Sequence, residues 1–253
     1  MSTQKIQKYL RQIEEEKQVK ILLACETGSR AWGFPSPDSD FDVRLIYAHP
    51  KDWYLNLQDQ KDSIEMMQEE NELDFSGWDL RKTLRLLWKS NPPLLERIQS
   101  PIIYQAEEGF KKEILELTQT CYSRIATLHH YLSMAKKTFS EVNGKQEYKL
   151  KKLFYALRTA TASRWILEKS EMPPIEFQQL LAGLGLESSL LNQIRQLISL
   201  KATASESYLH TGEKAISDFI RNCIENAEKN GKDLPASVAK MEDLNSFFKK
   251  WLG

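Results

Sequence analysis

Apolar residues recur at helical spacing at the start of the chain: Ile6, Leu10 and Ile13 fall on one side of a helix, behind Ser2 and Thr3 as caps. The spacing predicts an amphipathic helix over about the first 18 residues. Residues 19–24, Val-Lys-Ile-Leu-Leu-Ala, then form a short apolar run that suits a strand buried on both faces. Two glycines and two prolines within residues 28–39 exclude regular structure across most of that stretch. From Asp40 the period drops to two, with Asp40, Asp42, Arg44 and Ile46 on one strand face and Phe41, Val43, Leu45 and Tyr47 on the other. Residues 72–76 alternate in the same way and set Glu72, Asp74 and Ser76 opposite Leu73 and Phe75. Asp79 is placed to cap a helix over residues 80–88, and Asn91-Pro92-Pro93 ends that helix and starts another that runs to about Gln99.

After Pro101 the pattern is helical throughout, in segments near 107–140, 146–169, 174–183, 187–203, 207–229 and 237–251. The breaks fall at Asn143-Gly144, Pro173-Pro174, Gly183 to Gly185, Thr211-Gly212 and Asn230-Gly231. The predicted class is α+β. A small α/β domain over residues 1–105 is followed by an all-helical domain over residues 106–253.

Composition narrows the function classes. The 253 residues carry 35 Lys and Arg against 35 Asp and Glu, and 41% are hydrophobic, which excludes a disordered chain. Zero net charge removes any whole-protein attraction to nucleic acid or an anionic membrane, although a local basic groove fits within a neutral total. Cys25, Cys121 and Cys223 have neither zinc-ligand nor disulfide-framework spacing, so a reducing cytoplasm is expected. No stretch approaches the roughly 18 apolar residues of a membrane span, and no membrane association is expected.

Candidate chemistry concentrates in Gly28-Ser29 and, after ten intervening residues, Asp40-Phe41-Asp42, between two predicted strands. Gly28 allows close backbone approach to a ligand, and the Ser29 hydroxyl adds a donor beside exposed N–H groups, an outline of a phosphate cradle. Asp40 and Asp42 project from one strand face at about 6 to 7 Å between Cα atoms, and they repel unless a cation lies between them. Mg²⁺ suits that place because it takes few carboxylates together with substrate phosphates. Asp74 is the expected third ligand, with Glu72 as the alternative on the same face. An exposed acidic loop would carry the same aspartates; the Gly28-Ser29 pair upstream, between apolar strands, favours catalysis. Arg30 suits either a phosphate or neutralisation of the acids, Trp32 either a base or the anchoring of its loop, and Arg44 either an ion pair or a phosphate.

In the helical half, Leu150, Leu153, Leu157 and Ala160 share one side of a helix, and Tyr148, Lys151, Lys152, Tyr155 and Arg158 the other. The basic side reads either as a solvated face or, for Lys152, Tyr155 and Arg158, as a contact for triphosphate or RNA backbone. Arg164 falls within the apolar side and needs a carboxylate or phosphate partner. Arg124 and His129 diverge by about 140° on a helix, which argues against a paired nuclease role. The four histidines show no zinc-ligand pairing.

Gly28-Ser-Arg-Ala-Trp-Gly33 followed by Ser39-Asp-Phe-Asp-Val-Arg44 resembles the signature of the DNA polymerase beta superfamily of nucleotidyltransferases, in particular its bacterial and phage RNA-repair branch. The likeness continues through residues 74–82, 91–96 and Ser100-Pro101, and more weakly through residues 152–155, Arg158 and Arg164-Trp165. It implies a polymerase-beta-like mixed-sheet domain followed by a helical substrate- and nucleotide-binding domain. It also implies Asp40, Asp42 and Asp74 as catalytic residues and ligands of Mg²⁺ or Mn²⁺. Gly28, Ser29, Arg30, Lys152 and Arg158 would bind the nucleotide. The implied reaction moves a nucleoside monophosphate from an NTP, ATP being the expected donor, to an acceptor hydroxyl such as an RNA or tRNA end. The alternatives are transfer to a protein or small molecule, or a non-catalytic nucleotide-binding or antitoxin-type module.

Overall fold

The computed structural model describes residues 2–68 and 72–253. They divide into two units, the first formed by Met1–Gly28, Asp40–Tyr122 and Ser237–Gly253, the second by Ser29–Ser39 and Ser123–Ala236. The boundary expected at residues 105–106 falls inside a strand of the first unit.

That unit is built on five strands, β1 (Lys20–Glu26), β2 (Phe41–Ala48), β3 (Ser63–Gln68), β4 (Leu73–Asp79) and β5 (Ile103–Ala106), in the order β3-β4-β2-β1-β5. Only β2 and β4 run parallel; the other neighbours are antiparallel. The mixed sheet is the expected one. Helix α1 (Thr3–Lys17), capped by the Ser2 side chain, buries Ile6, Leu10 and Ile13 against Val43, Leu45, Tyr47 and Phe75. Each aliphatic side chain removed from water there contributes about 2 kcal/mol. On the opposite face lie α3 (Leu80–Trp88), α4 (Pro92–Gln99) and α5 (Phe110–Cys121), with α11 (Met241–Leu252) packed on α3. Asp79 caps α3 as expected, accepting from the Arg81 N–H at 2.8 Å and from the Tyr54 hydroxyl at 2.6 Å. Burial pushes its carboxyl pKa up, against those hydrogen bonds.

The second unit opens with part of a five-residue helix, α2 (Gly28–Trp32), and continues through α6 (Arg124–Ser140), β6 (Glu147–Lys149), α7 (Leu150–Glu168), α8 (Phe177–Ala182), α9 (Ser188–Lys201), β7 (Leu209–Thr211) and α10 (Lys214–Asn230). Helix α7 is its centre: Leu153, Phe154, Leu157, Ala160 and Ile166 are fully buried. Arg164 meets the requirement placed on it, because Glu168 one turn on accepts from its Nε at 2.7 Å. Arg124 donates to the Ile166 and Leu167 carbonyls at the end of α7, a structural use of that side chain.

Three strands lie after Pro101, where the pattern predicted none, two of them inside predicted helical segments. β5 has four residues and β6 and β7 three each, too few to display a period of their own, and all form by pairing with a distant segment. The single helix expected over 107–140 is two, α5 and α6, because Ser123 starts a new one by accepting from the Ala126 N–H. Edge strand β3 shows only a weak alternation, with Ile64 its one buried residue. No helix among the described residues is long and apolar enough to cross a membrane. All three cysteines are free and buried, and burial pushes the Cys25 and Cys223 thiols up to about 12, which makes them inert.

Candidate active site

The parallel register of β2 and β4 sets Asp42 directly opposite Asp74. Both face the same side of the sheet, since Val43, Leu45, Leu73 and Phe75 take the α1 side. Arg44, two residues after Asp42, lies between the carboxylates. Its Nη2 donates to Asp42 Oδ1 at 2.6 Å and its Nη1 is 2.9 Å from Asp74 Oδ2. Nη1 also donates to the Asp74 carbonyl at 3.2 Å. Of the two roles open to Arg44, the fold shows the ion pair, and a double one. Two carboxylates this close repel, and the guanidinium offsets that repulsion. The three side chains are between a fifth and a third exposed, so solvent reaches the cluster.

Gly28, which ends the first segment of the first unit, has φ +65° and no room for a side chain, because a Cβ there would stand 2.3 Å from Asp42 Oδ2. The glycine is therefore required twice, by backbone conformation and by the carboxylate against it. Asp42 is held from behind as well. Its backbone N–H donates at 2.7 Å to Oε1 of Glu26, and its carbonyl accepts from the Thr27 N–H at 2.9 Å. Glu26 is fully buried, with the Tyr104 hydroxyl on Oε2 at 2.5 Å and the Ser100 hydroxyl on its own carbonyl at 2.6 Å. Sequence reading passed over Glu26, although a carboxylate at the end of an apolar strand carries a signal: it is buried only where donors are waiting for it.

Asp40 is exposed and precedes β2, one residue outside the strand to which the alternation assigned it. Glu72 lies outside β4, and the Glu72 carbonyl accepts from the Phe41 N–H. The fold therefore brings together Asp42 and Asp74. Among the described residues no group of three or more His, Cys, Asp or Glu is arranged to hold a metal ion. Two carboxylates sharing one cation nonetheless form a donor set that fits Mg²⁺, which needs one or two protein carboxylates when phosphate oxygens supply other positions.

In the second unit the predicted residues serve different surroundings. Arg30 donates to the Ser39 carbonyl at 2.6 Å. Trp32 packs on Phe34 and edge-on to Tyr155, with the Arg158 guanidinium 4.5 Å over its ring, so of its two roles the anchoring of its loop is the one seen. Arg158 itself is buried and donates to the Ile175 carbonyl at 3.1 Å. Lys152 is partly exposed in an ion pair with Glu141.

The loop before Asp40 is fastened by a network with no counterpart in the sequence reading. Glu206 Oε1 accepts from the Ser39 hydroxyl at 2.7 Å and lies 3.2 Å from Lys201 Nζ, while Glu206 Oε2 pairs with Lys151 at 3.0 Å. Lys201 is buried and reaches the Ser36 hydroxyl at 2.8 Å, and Asp38 accepts from the Glu206 N–H. Burial alone would raise the Glu206 carboxyl, but Ser39, Lys151 and Lys201 outweigh it and hold the group at about 2 against an ordinary 4.5. A depressed carboxyl stabilises the fold above its unfolded pKa and loses that contribution as pH falls through the folded one. In thermal melts, the Tm deficit of Glu206→Gln is therefore expected in full above about pH 4.5 and to vanish as pH falls toward 2.

A mixed sheet with facing aspartates on parallel strands, followed by a helical region, is the polymerase-beta-like nucleotidyltransferase fold. The chain belongs to the RNA repair pathway DNA polymerase beta family, RlaP, whose model matches residues 2–250. It is 40% identical over 243 residues to the uncharacterized protein YcgL of Bacillus subtilis (strain 168), covering 96% of this chain and 93% of that one. Among solved structures it is similar to a nucleotidyltransferase-like protein from Exiguobacterium sibiricum 255-15 at 11% identity and a TM-score of 0.33, covering 95% of this chain and 77% of that one.

Proposed function

We propose that the protein is a nucleotidyltransferase that joins a nucleoside monophosphate to the hydroxyl of an RNA end, with release of pyrophosphate. The observation that carries this reading is the Asp42–Arg44–Asp74 cluster, assembled by strand register in a chain of the RNA repair pathway polymerase beta family. In the reaction the acceptor oxygen attacks the α-phosphorus, the bond from that phosphorus to the bridging oxygen of the β-phosphate breaks, and pyrophosphate leaves with the electron pair. Asp74 accepts the proton of the acceptor hydroxyl. Asp42 and Asp74 are the residues that would hold Mg²⁺ or Mn²⁺, with Asp40 close in sequence as a further carboxylate. The ion would supply charge neutralisation at the triphosphate and at the attacking oxygen. Arg44 keeps the two carboxylates together before substrate arrives, and Gly28, Ser29 and Arg30 form the chain segment assigned to the phosphates.

ATP is the expected donor and an RNA or tRNA end the expected acceptor. The test is incubation of the purified protein with each α-labelled NTP, Mg²⁺ or Mn²⁺ and a panel of RNAs, with label in the RNA and pyrophosphate both measured. Label appearing in RNA, with stoichiometric pyrophosphate, is the expected result. Label in protein or a small molecule instead would assign a different acceptor, and nucleotide binding without pyrophosphate release would make the protein a binding module.

A further inference from the structure

Helix α3 and helix α11 border a groove of about 420 Å³ in the first unit. Three cations line it, Arg81, Arg85 and Lys89, and no carboxylate does. They are spaced four residues apart, one per helical turn, so they form a single stripe along α3 and its C-cap. Arg81 is fixed in place: its guanidinium lies 4.8 Å over the Tyr54 ring and 5.8 Å from the Phe248 ring, and Nη2 donates to the Tyr54 carbonyl. Arg85 and Lys89 are exposed, and no carboxylate among the described residues pairs with either. Three cations one turn apart, with no carboxylate lining the groove, make this a local concentration of positive charge in a chain whose charges sum to zero.

The groove is also aromatic and apolar. Trp88, between the two exposed cations in sequence, keeps 39% of its surface in solvent, and Met241 across the groove keeps 43%. A large indole left this open beside unpaired cations combines the two elements that hold a single strand, a π face for a base and positive charge for the backbone. An acidic peptide would use the cations but has no need of the indole, and a duplex presents no free base faces.

We infer that the α3–α11 groove binds a segment of single-stranded RNA, with Arg81, Arg85 and Lys89 along the phosphates and Trp88 stacked on a base. The inference rests on the transferase reading for the choice of RNA, and it assigns the acceptor a binding surface separate from the aspartate cluster. No residue of the groove belongs to the Asp42–Arg44–Asp74 cluster.

Fluorescence anisotropy of an end-labelled, mixed-sequence 12-nucleotide RNA, titrated with the full chain without NTP between about 50 and 200 mM salt, tests it. Wild type is expected to bind with an affinity that falls as salt rises. Arg85→Glu combined with Lys89→Glu is expected to weaken binding at least about tenfold and to flatten the salt slope by roughly 1.4, two contacts' worth for a single strand. Trp88→Ala, which leaves the charge intact, is expected to weaken binding about tenfold with little change in slope. Arg85 and Lys89 are exposed, so the double charge variant should melt like wild type; Trp88→Ala gives up part of a buried indole and is measured well below its own Tm, and ATP binding should be retained in both. Wild-type RNA affinity in both variants, or no RNA binding by wild type, overturns the proposal. So does displacement of nothing by RNA where polyglutamate binds and the groove variants abolish it, an outcome that would make the partner an acidic protein. The transferase reading fails separately, by absence of pyrophosphate release, and Asp42→Asn is expected to lose transfer while it still binds RNA.

Discussion

Asp74→Asn is expected to lower nucleoside monophosphate incorporation into RNA by about a thousandfold or more, equivalent to roughly 4 kcal/mol of transition-state stabilisation. Asparagine keeps the shape of the side chain and can still meet Arg44, but it can neither accept the proton of an acceptor hydroxyl nor bring negative charge to a bound cation. Asp74 is about one-third exposed, and its backbone pairing with Asp42 and Met67 does not involve the side chain. Folding is therefore expected to be retained, and circular dichroism and ATP binding separate a catalytic loss from a folding one. A variant as active as wild type would remove Asp74 from the chemistry. Asp42→Asn is expected to behave similarly, and the double variant to be little worse than either single one, because the two carboxylates act on one centre.

Glu26→Ala is the change with the largest expected effect on stability. The substitution removes the acceptor that the buried Glu26 carboxylate offers to the Asp42 N–H and to the Tyr104 hydroxyl, and leaves a gap where that side chain was. Each donor that loses its acceptor costs about 1 to 3 kcal/mol. A total near 3 kcal/mol lowers the Tm of a chain this long by roughly 10 °C. Denaturant unfolding measures the loss directly. Tyr104→Phe, which withdraws one of the two donors together with its need for a partner, is expected to cost about 1 kcal/mol. Equal stability of Glu26→Ala and wild type would show that the carboxylate is not the support of the Asp42 strand.

The elements legible in the sequence are those with a long apolar period of their own. Helix α1 follows from Ile6, Leu10 and Ile13 with Ser2 ahead of them, and β2 from the alternation that buries Val43, Leu45 and Tyr47 while exposing Asp42 and Arg44. Asp79 is legible as a cap because a short polar side chain before an apolar helical run has a local partner waiting in the first turn, and Asn91-Pro92-Pro93 is legible as a helix break. β3, β5, β6 and β7 were not, since a strand of three to six residues is defined by its neighbour rather than by its own pattern. Arg158 was placed by its helical angle on a basic face with Lys152, yet it is buried against Trp32, because α7 is surrounded on nearly all sides. A helical wheel states which residues share a face, and only the packing states what covers that face.

For the site the same division holds. By itself the order of residues determined that Gly28 and Ser29 follow an apolar strand, that Asp42 and Arg44 share a strand face, and that Asp74 lies on the polar side of another; these are consequences of local period and need no partner. That Asp42 and Asp74 are opposite one another, that Arg44 joins both, that Glu26 supports Asp42 from within the core, and that α11 closes a groove over the cations and indole of α3 were decided by tertiary structure alone. The physical reason is that parallel pairing across some thirty residues, and the docking of α11 against α3 from the far end of the chain, are settled by which apolar faces cover one another. No local window of the sequence contains both partners of such a contact.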